Sequence, residues 1–302
     1  MTDSVLPLLL AFVCAPLLTG VINRVKATFA GRKGRPLLQL YFDIFKLLRK
    51  GEVISQTTTW VFATGPSVYL ATVICALLFV PFGIIRAPLG FTGDFILMAY
   101  LVAFGRFALV LAALDTGSAF EGMGASREAS FSTLAEPVIF LCFLALGGGT
   151  WPSLHSFFHA ASMQIWTFAR PELLLIPVVL FLLLLVENCR IPVDDPNTHL
   201  ELTMIHEVMI LDHSGPNLAF ILYASSLKLW LFALLLVNLL VPEFPDDMLM
   251  ELALMLAGIF GIAALVGVVE SCMVRLRLLV VPRMLGMTGM LAALALILTL
   301  LR

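Results

Sequence analysis

The amino-acid sequence predicts an all-α integral membrane protein, with eight transmembrane helices and short amphipathic or re-entrant helices between them. Three observations carry this. Hydrophobic residues fill 61% of the 302 positions and charged residues only 13%, about half the charged usage of a soluble domain. The apolar residues gather in repeated runs of about 20, the length at which a helix crosses a bilayer core. No run shows the short two-residue alternation of a membrane β-barrel strand. A single membrane domain over residues 1–302 follows, and the net charge of -2 gives no nucleic-acid footprint.

The spans are expected, in order, at Val5–Ile22, Ser67–Ile85, Asp94–Leu114, Ser132–Gly149, Pro171–Glu187, Asn217–Val241, Met250–Glu270 and Met284–Leu301. The first begins without a basic stretch before it or a cleavage site after it, so it reads as a retained span. Orientation follows from Lys and Arg in the loops. Thirteen lie in the odd-numbered loops: Arg24, Lys26, Arg32, Lys33, Arg35, Lys46, Arg49, Lys50, Arg127, Arg190, Arg275, Arg277 and Arg283. Only Arg86, Arg170 and Arg302 lie on the other side. The odd-numbered loops are therefore placed in the cytoplasm and both termini on the outer, periplasmic side.

The two faces differ in character. The first cytoplasmic loop, 24–66, contains "GRPLLQLYFDIFKLLRKGE", with Leu37, Leu38, Tyr41, Ile44, Phe45 and Leu48 at helical spacing and Lys46, Arg49 and Lys50 mainly opposite. Such a basic amphipathic helix lies on a lipid surface or seats a partner protein, and the segment alone favours neither. On the outer side, "WPSLHSFFHAASMQIWTFARPE" is aromatic and interfacial, and its His155 and His159 read as a surface pair.

Charges inside the spans call for partners. Arg106 and Lys228 fall near the middles of the third and sixth spans. A cation there costs roughly 2.5–3.5 kcal/mol on insertion scales, so each must face a counter-charge or a wet cavity. Acids recur at the cytoplasmic ends: Asp115, Glu128, Glu136, Glu187 and Glu270. Together they point to one polar pocket, because a carboxyl group that burial holds near neutrality suits a proton relay. Glu136 precedes Pro137, which frees a backbone carbonyl for protein or water.

The densest charge lies at 187–216. "VENCRIPVDDPNTHLELTMIHEV" holds Glu187, Arg190, Asp194, Asp195, His199, Glu201, His206 and Glu207. Pro192 ends the fifth helix near Arg190. A new helix is expected from Asp195 as N-cap with Pro196 at its first position, too short and polar to span. His199, His206 and His213 follow a seven-residue spacing without an HExxH pattern, and the five cysteines form no CxxC. Metal, iron–sulfur and nucleophilic chemistry are not expected within this chain.

The same segment resembles the signature of the complex I subunit 1 family, matching it at Glu187, Arg190, Pro192, Asp194, Glu201 and Leu202. "GRPLLQLYFDIFKLL", "GASREASFSTLAEP" and "ESCMVRLRLLVVPRML" are similar to further family stretches, and the likeness covers nearly the whole chain. Asn197 and His199 stand where quinone-reducing members carry acids. With "LDTGSAFEGMGASRE", they resemble the hydrogenase branch of the family instead. That resemblance implies a membrane anchor in the cytoplasmic (inner) membrane of a bacterium or archaeon. Its implied partners are hydrogenase large and small subunits, a ferredoxin-like iron–sulfur subunit, antiporter-like membrane subunits and lipid. Iron–sulfur clusters and the NiFe centre would belong to those partners, leaving this chain without a cofactor.

On this reading Glu136, Glu187, Glu201, Glu207, Lys228, Asp115, Glu128 and Arg106 form the proton path. Arg190, Asp194, Asp195, His199, His206, Arg32, Arg35 and Lys46 shape the loops and dock the partner. A quinone-site-forming member of the family is the alternative. A stand-alone ion transporter is a second, and it would show repeat symmetry and paired broken helices, which the sequence lacks.

Overall fold

A computed structural model describes residues 2–148, 153–166, 171–194, 204–242 and 248–301. Among them regular structure is helical, apart from one isolated bridge between Phe82 and Ile85. The helices are α1 (Thr2–Phe29), α2 (Gln39–Leu48), α3 (Trp60–Leu77), α4 (Asp94–Asp115), α5 (Ala119–Gly147), α6 (Leu154–Trp166), α7 (Leu175–Glu187), α8 (His206–Met209), α9 (Gly215–Leu240), α10 (Met248–Cys272) and α11 (Val281–Leu300). Seven of these, α1, α3, α4, α5, α9, α10 and α11, are long and apolar enough to cross a membrane. The chain is a multi-pass membrane protein.

The expected fifth span divides into a 3-10 turn, Pro171–Leu174, and α7. Thirteen residues of α-helix rise about 20 Å, short of a hydrocarbon core of about 30 Å. Alone, α7 therefore falls below the length of a span.

Other boundaries shift for local reasons. α3 runs from Trp60 to Leu77, where the sequence suggested Ser67–Ile85. Its start is fixed by Asp115, whose carboxylate accepts from the Thr59 and Phe62 amides at 2.7 and 3.1 Å and from the Thr59 hydroxyl at 2.9 Å. Its end is fixed by a turn held by Asn238, which accepts from Gly83 N–H at 2.9 Å and donates to the Pro81 carbonyl at 2.8 Å. Helix α1 continues past Ile22, so Arg24 and Lys26 lie on a helix instead of in the first loop.

Helix α5 begins thirteen residues before the expected Ser132, at Ala119. In the added turns, glycine at 124 allows α8 to lie close, since an added Cβ would stand 2.3 Å from Val208 and 3.0 Å from the Ile205 carbonyl. The closeness presses α8 onto α5. The helix expected from Asp195 falls mostly outside the described residues, which include only its end as α8.

Helix α9 is the hub. Within its apolar window 78% of residues are buried, against 28–44% for the other six spans. Hence Lys228, on α9, faces protein and not lipid. Helix α2 is the opposite case: none of its residues is buried, and Phe42, Phe45 and Leu48 are exposed. It lies across α1 and α9 as a surface helix.

Candidate functional site

One residue organises the centre of the site. Glu187, the last residue of α7, has a side chain with no exposure, and its Oε2 lies 3.0 Å from Arg106 Nη2 and 2.9 Å from Lys228 Nζ. The α4 guanidinium also stands 3.8 Å from Glu128 and 3.9 Å from Glu136, both on α5. Four helices thus deliver three carboxylates and two cations to one place. Of the five acids expected in one pocket, Glu128, Glu136 and Glu187 meet here, whereas Asp115 caps α3 and Glu270 pairs with Lys26 and Arg190; the three that meet explain how both mid-span cations are tolerated. Glu136 is the outermost member, its side chain 38% exposed against 11% or less for the other four.

The geometry of Glu187 comes from how α7 stops. Arg190 N–H bonds back to the Leu185 carbonyl at 2.8 Å and Cys189 N–H to Val186 at 3.1 Å. This is a Schellman closure, whose left-handed position glycine normally fills. Here Cys189 takes it, at φ 48°. A side chain in that region costs ~1–3 kcal/mol, and its thiol is turned toward Glu128 at 3.9 Å. The short path from Glu187 to Arg190 directs the two side chains to different partners.

Beyond the turn, the loop is fastened on two sides. Arg190 pairs with Glu270 at 3.5 Å, and Glu270 also holds Lys26 of α1 at 2.8 Å. Asp194 is buried and divides its oxygens. Oδ1 meets Arg275 at 2.7 Å, while Oδ2 accepts from the Ile205 and His206 amides at 2.9 and 3.3 Å. Leu276 N–H donates to the Pro192 carbonyl at 2.8 Å, and Arg127 reaches from α5 to the Met204 carbonyl at 2.7 Å.

A cavity of about 250 Å³ joins these parts. Arg106, Glu128, Glu187, Lys228 and Tyr69 form its buried end, Asp194, His206 and Glu207 part of its wall, and Arg35, Gln39 and Asp43 its more exposed end. The His206 imidazole is pushed down to about 4, first by burial and then by the Lys228 charge, with Asp194 acting against both. His213 is also pushed down to about 4 by burial, stacked on Phe62 with centroids 4.0 Å apart. Both histidines are neutral at physiological pH.

The other predicted residues fall elsewhere. Asp115 lies apart from the cluster as the cap of α3. Arg32, Arg35 and Lys46 are all exposed, and of the three only Arg35 lines the cavity. Asp195, His199 and Glu201 lie outside the described residues. Sequence reading placed Glu270 in the pocket, where the structure pairs it with Lys26 and Arg190, and it missed Lys26, Arg275 and Arg127 as the partners that hold the loop. Their signal was present, since Glu270, Arg275 and Arg277 end one span together, but an acid at a helix end reads equally well as local capping.

Chemically, three carboxylates against two cations leave one negative charge. One proton on a carboxylate makes the cluster formally neutral.

Comparison with known proteins agrees with the family likeness. The NADH dehydrogenase family profile matches residues 3–301. Formate hydrogenlyase subunit 4 of Escherichia coli (strain K12) is 31% identical over 288 residues, covering 91% of each chain. Hydrogenase-4 component C of the same organism is 30% identical over 289 residues, covering 93% of this chain and 90% of that one. In fold, the chain is similar to one from the membrane-bound sulfane sulfur reductase, an archaeal respiratory membrane complex. That match has a TM-score of 0.83 at 20% identity, over 99% of this chain and 98% of the other. With a family match from residue 3 to residue 301, this complex I-like membrane protein belongs to the NADH dehydrogenase subunit 1 family.

Proposed function

We propose that this chain is the membrane-anchoring and proton-coupling subunit of a complex I-related respiratory complex. It links a peripheral [NiFe]-hydrogenase and iron–sulfur arm to antiporter-like membrane subunits. The observation that carries this reading is the Arg106–Glu187–Lys228 cluster at the buried end of the cavity. The names of two relatives, formate hydrogenlyase subunit 4 and hydrogenase-4 component C, support the hydrogenase assignment.

In this reading the protein sits in the cytoplasmic (inner) membrane of a bacterium or archaeon. The turn at Pro171–Leu174 and α7 together make an eighth span, and both termini face outward. The hydrogenase large and small subunits and a ferredoxin-like iron–sulfur subunit dock over α2 and the 187–216 segment. Electrons stay in those partners, and lipid surrounds the exposed helices. Within this chain Glu187 is the exchange point between the cavity and α5, where Glu128 and Glu136 continue the path. Movement of the Arg190–Asp194 loop changes how tightly Arg106 and Lys228 hold Glu187, and so when it takes a proton.

The test is Glu187→Gln in the intact complex, which keeps side-chain shape and removes the charge. Proton translocation per turnover, read by a pH-sensitive dye in vesicles, is expected to collapse while nickel and iron–sulfur subunits still co-purify. Full coupling in that variant removes Glu187 from the path. A chain that purifies from mild detergent as a lone, functional transporter sinks the whole reading.

A further inference from the structure

We infer that Lys228 is the ion-selectivity residue of this site, reserving it for protons by occupying the position that a sodium ion would need. The inference rests on the proton-coupling reading above and adds to it the identity of the ion. Glu187 Oε2 is bracketed by Lys228 Nζ at 2.9 Å and Arg106 Nη2 at 3.0 Å. Sodium is a hard cation and requires a shell of oxygen ligands. Around Glu187 the near neighbours are nitrogen donors carrying positive charge. A metal ion placed there would meet two like charges at contact distance in a poorly screened interior.

The neighbouring carboxylates are committed elsewhere. Asp194 commits Oδ1 to Arg275 and Oδ2 to two backbone amides. Glu128 and Glu136 share the Arg106 guanidinium. Lys228 is also held in place, because its side chain is 5% exposed on the most buried helix. A proton faces none of these obstacles. It needs one lone pair, and it neutralises a carboxylate without a coordination sphere.

Charge decides the same way. The wild-type cluster has a single spare negative charge, which one proton cancels. Without Lys228 the three carboxylates face only Arg106, and two negative charges remain. Neutral hydroxyls of Tyr69 and Ser225 line the same cavity. Those are conditions under which a sodium ion can bind.

The experiment measures binding of 22Na+ to the full-length chain in lipid nanodiscs near neutral pH. The wild type and Lys228→Arg are expected to show no saturable component that Glu187→Gln removes. Lys228→Met is expected to gain one saturable site, lost again when Glu187→Gln is added. Glu187-dependent sodium binding by the wild type overturns the inference, as does a helical, monodisperse Lys228→Met protein that binds none. If Lys228→Met does not fold, Lys228→Gln replaces it, with the same expected gain of a Glu187-dependent sodium site and the same overturning result. Proton coupling in the complex is a separate readout. Loss of the coupling role with sodium exclusion intact defeats the earlier reading, and the converse defeats only this one.

Discussion

The two ends of the helical bundle handle buried polar groups in contrasting ways. At one end, Asn238 pairs one-to-one with the backbone of the Pro81–Gly83 turn, and Asp94 caps α6 by accepting from Leu154 N–H at 2.8 Å. Each bond has a single purpose, and together they fix a turn and a helix start. At the other end, one guanidinium is shared among Glu128, Glu136 and Glu187 at distances from 3.0 to 3.9 Å, and Lys228 competes for the same Glu187 oxygen. Dedicated pairing makes a lock, whereas sharing leaves several arrangements close in energy. Under the proposed function, the shared end is the part that changes state and the paired end is its frame.

The contrast is broken most directly at Glu187. Replacing it with Leu leaves two buried cations without their common anion, and losing one partner of a buried pair costs ~3–5 kcal/mol. Thermal unfolding in detergent should show that loss together with abolished proton coupling. A decrease below about 1 kcal/mol would mean that the cations re-pair freely and that the cluster is not tightly coupled.

At the paired end, Asn238→Leu should lower stability but leave coupling intact. It orphans the Gly83 N–H and the Pro81 carbonyl, and each buried unsatisfied group costs ~1–3 kcal/mol. Stability is expected to fall while protons per turnover stay at the wild-type value. Loss of coupling in a folded Asn238→Leu protein would erase the distinction between frame and moving part.

Much of this organisation was legible in the sequence, and the part that was not has a physical cause. Arg106 and Lys228 announced the cluster because an isolated cation in a span is costly, so counter-charges could be sought among nearby acids. Asp115 sounded the same note and was misleading. A carboxylate at a helix end serves a neighbouring helix start as readily as a proton path, and only the fold shows that Thr59 and Phe62 reach it. The loop's fastening was hidden for another reason. Asp194 and Arg275 are 81 positions apart yet form a 2.7 Å pair, and no local pattern links such residues. Boundaries slipped where a side chain from elsewhere sets them, as Asn238 does for the end of α3.

A smaller effect than at either end is expected at the Arg275–Asp194 pair. Its arginine side chain is 17% exposed, so water screens part of the interaction. Arg275→Gln is expected to cost about 1–2 kcal/mol, near the lower part of the range for hydrogen bonds to charged groups. Hydrogen exchange should localise the change, with faster exchange at the Ile205 and His206 amides that Asp194 accepts from. If those amides exchange at the wild-type rate, Arg275 does not set the loop's position.

The smallest expected effect separates the pH response of the fold from that of the cluster. Neither nitrogen of His213 has a hydrogen-bond partner among the described residues, and its ring lies 6° from parallel with Phe62, so it is packed as an apolar ring. Burial lowers its value from 6.5 to about 4, which means that the unfolded chain binds the proton more readily. Its contribution is therefore complete above about pH 6.5, declines as pH falls through the interval down to about 4, and changes no further below that. Within the interval the slope is at most about 1.4 kcal/mol per pH unit for one such group. His213→Phe keeps the stack and removes the proton site, so its stability profile should flatten across that window while the pH dependence of proton coupling stays in place. A coupling profile that moves with His213→Phe would place this ring in the proton path, and the sharing of charge at Glu187 would no longer account for the response by itself.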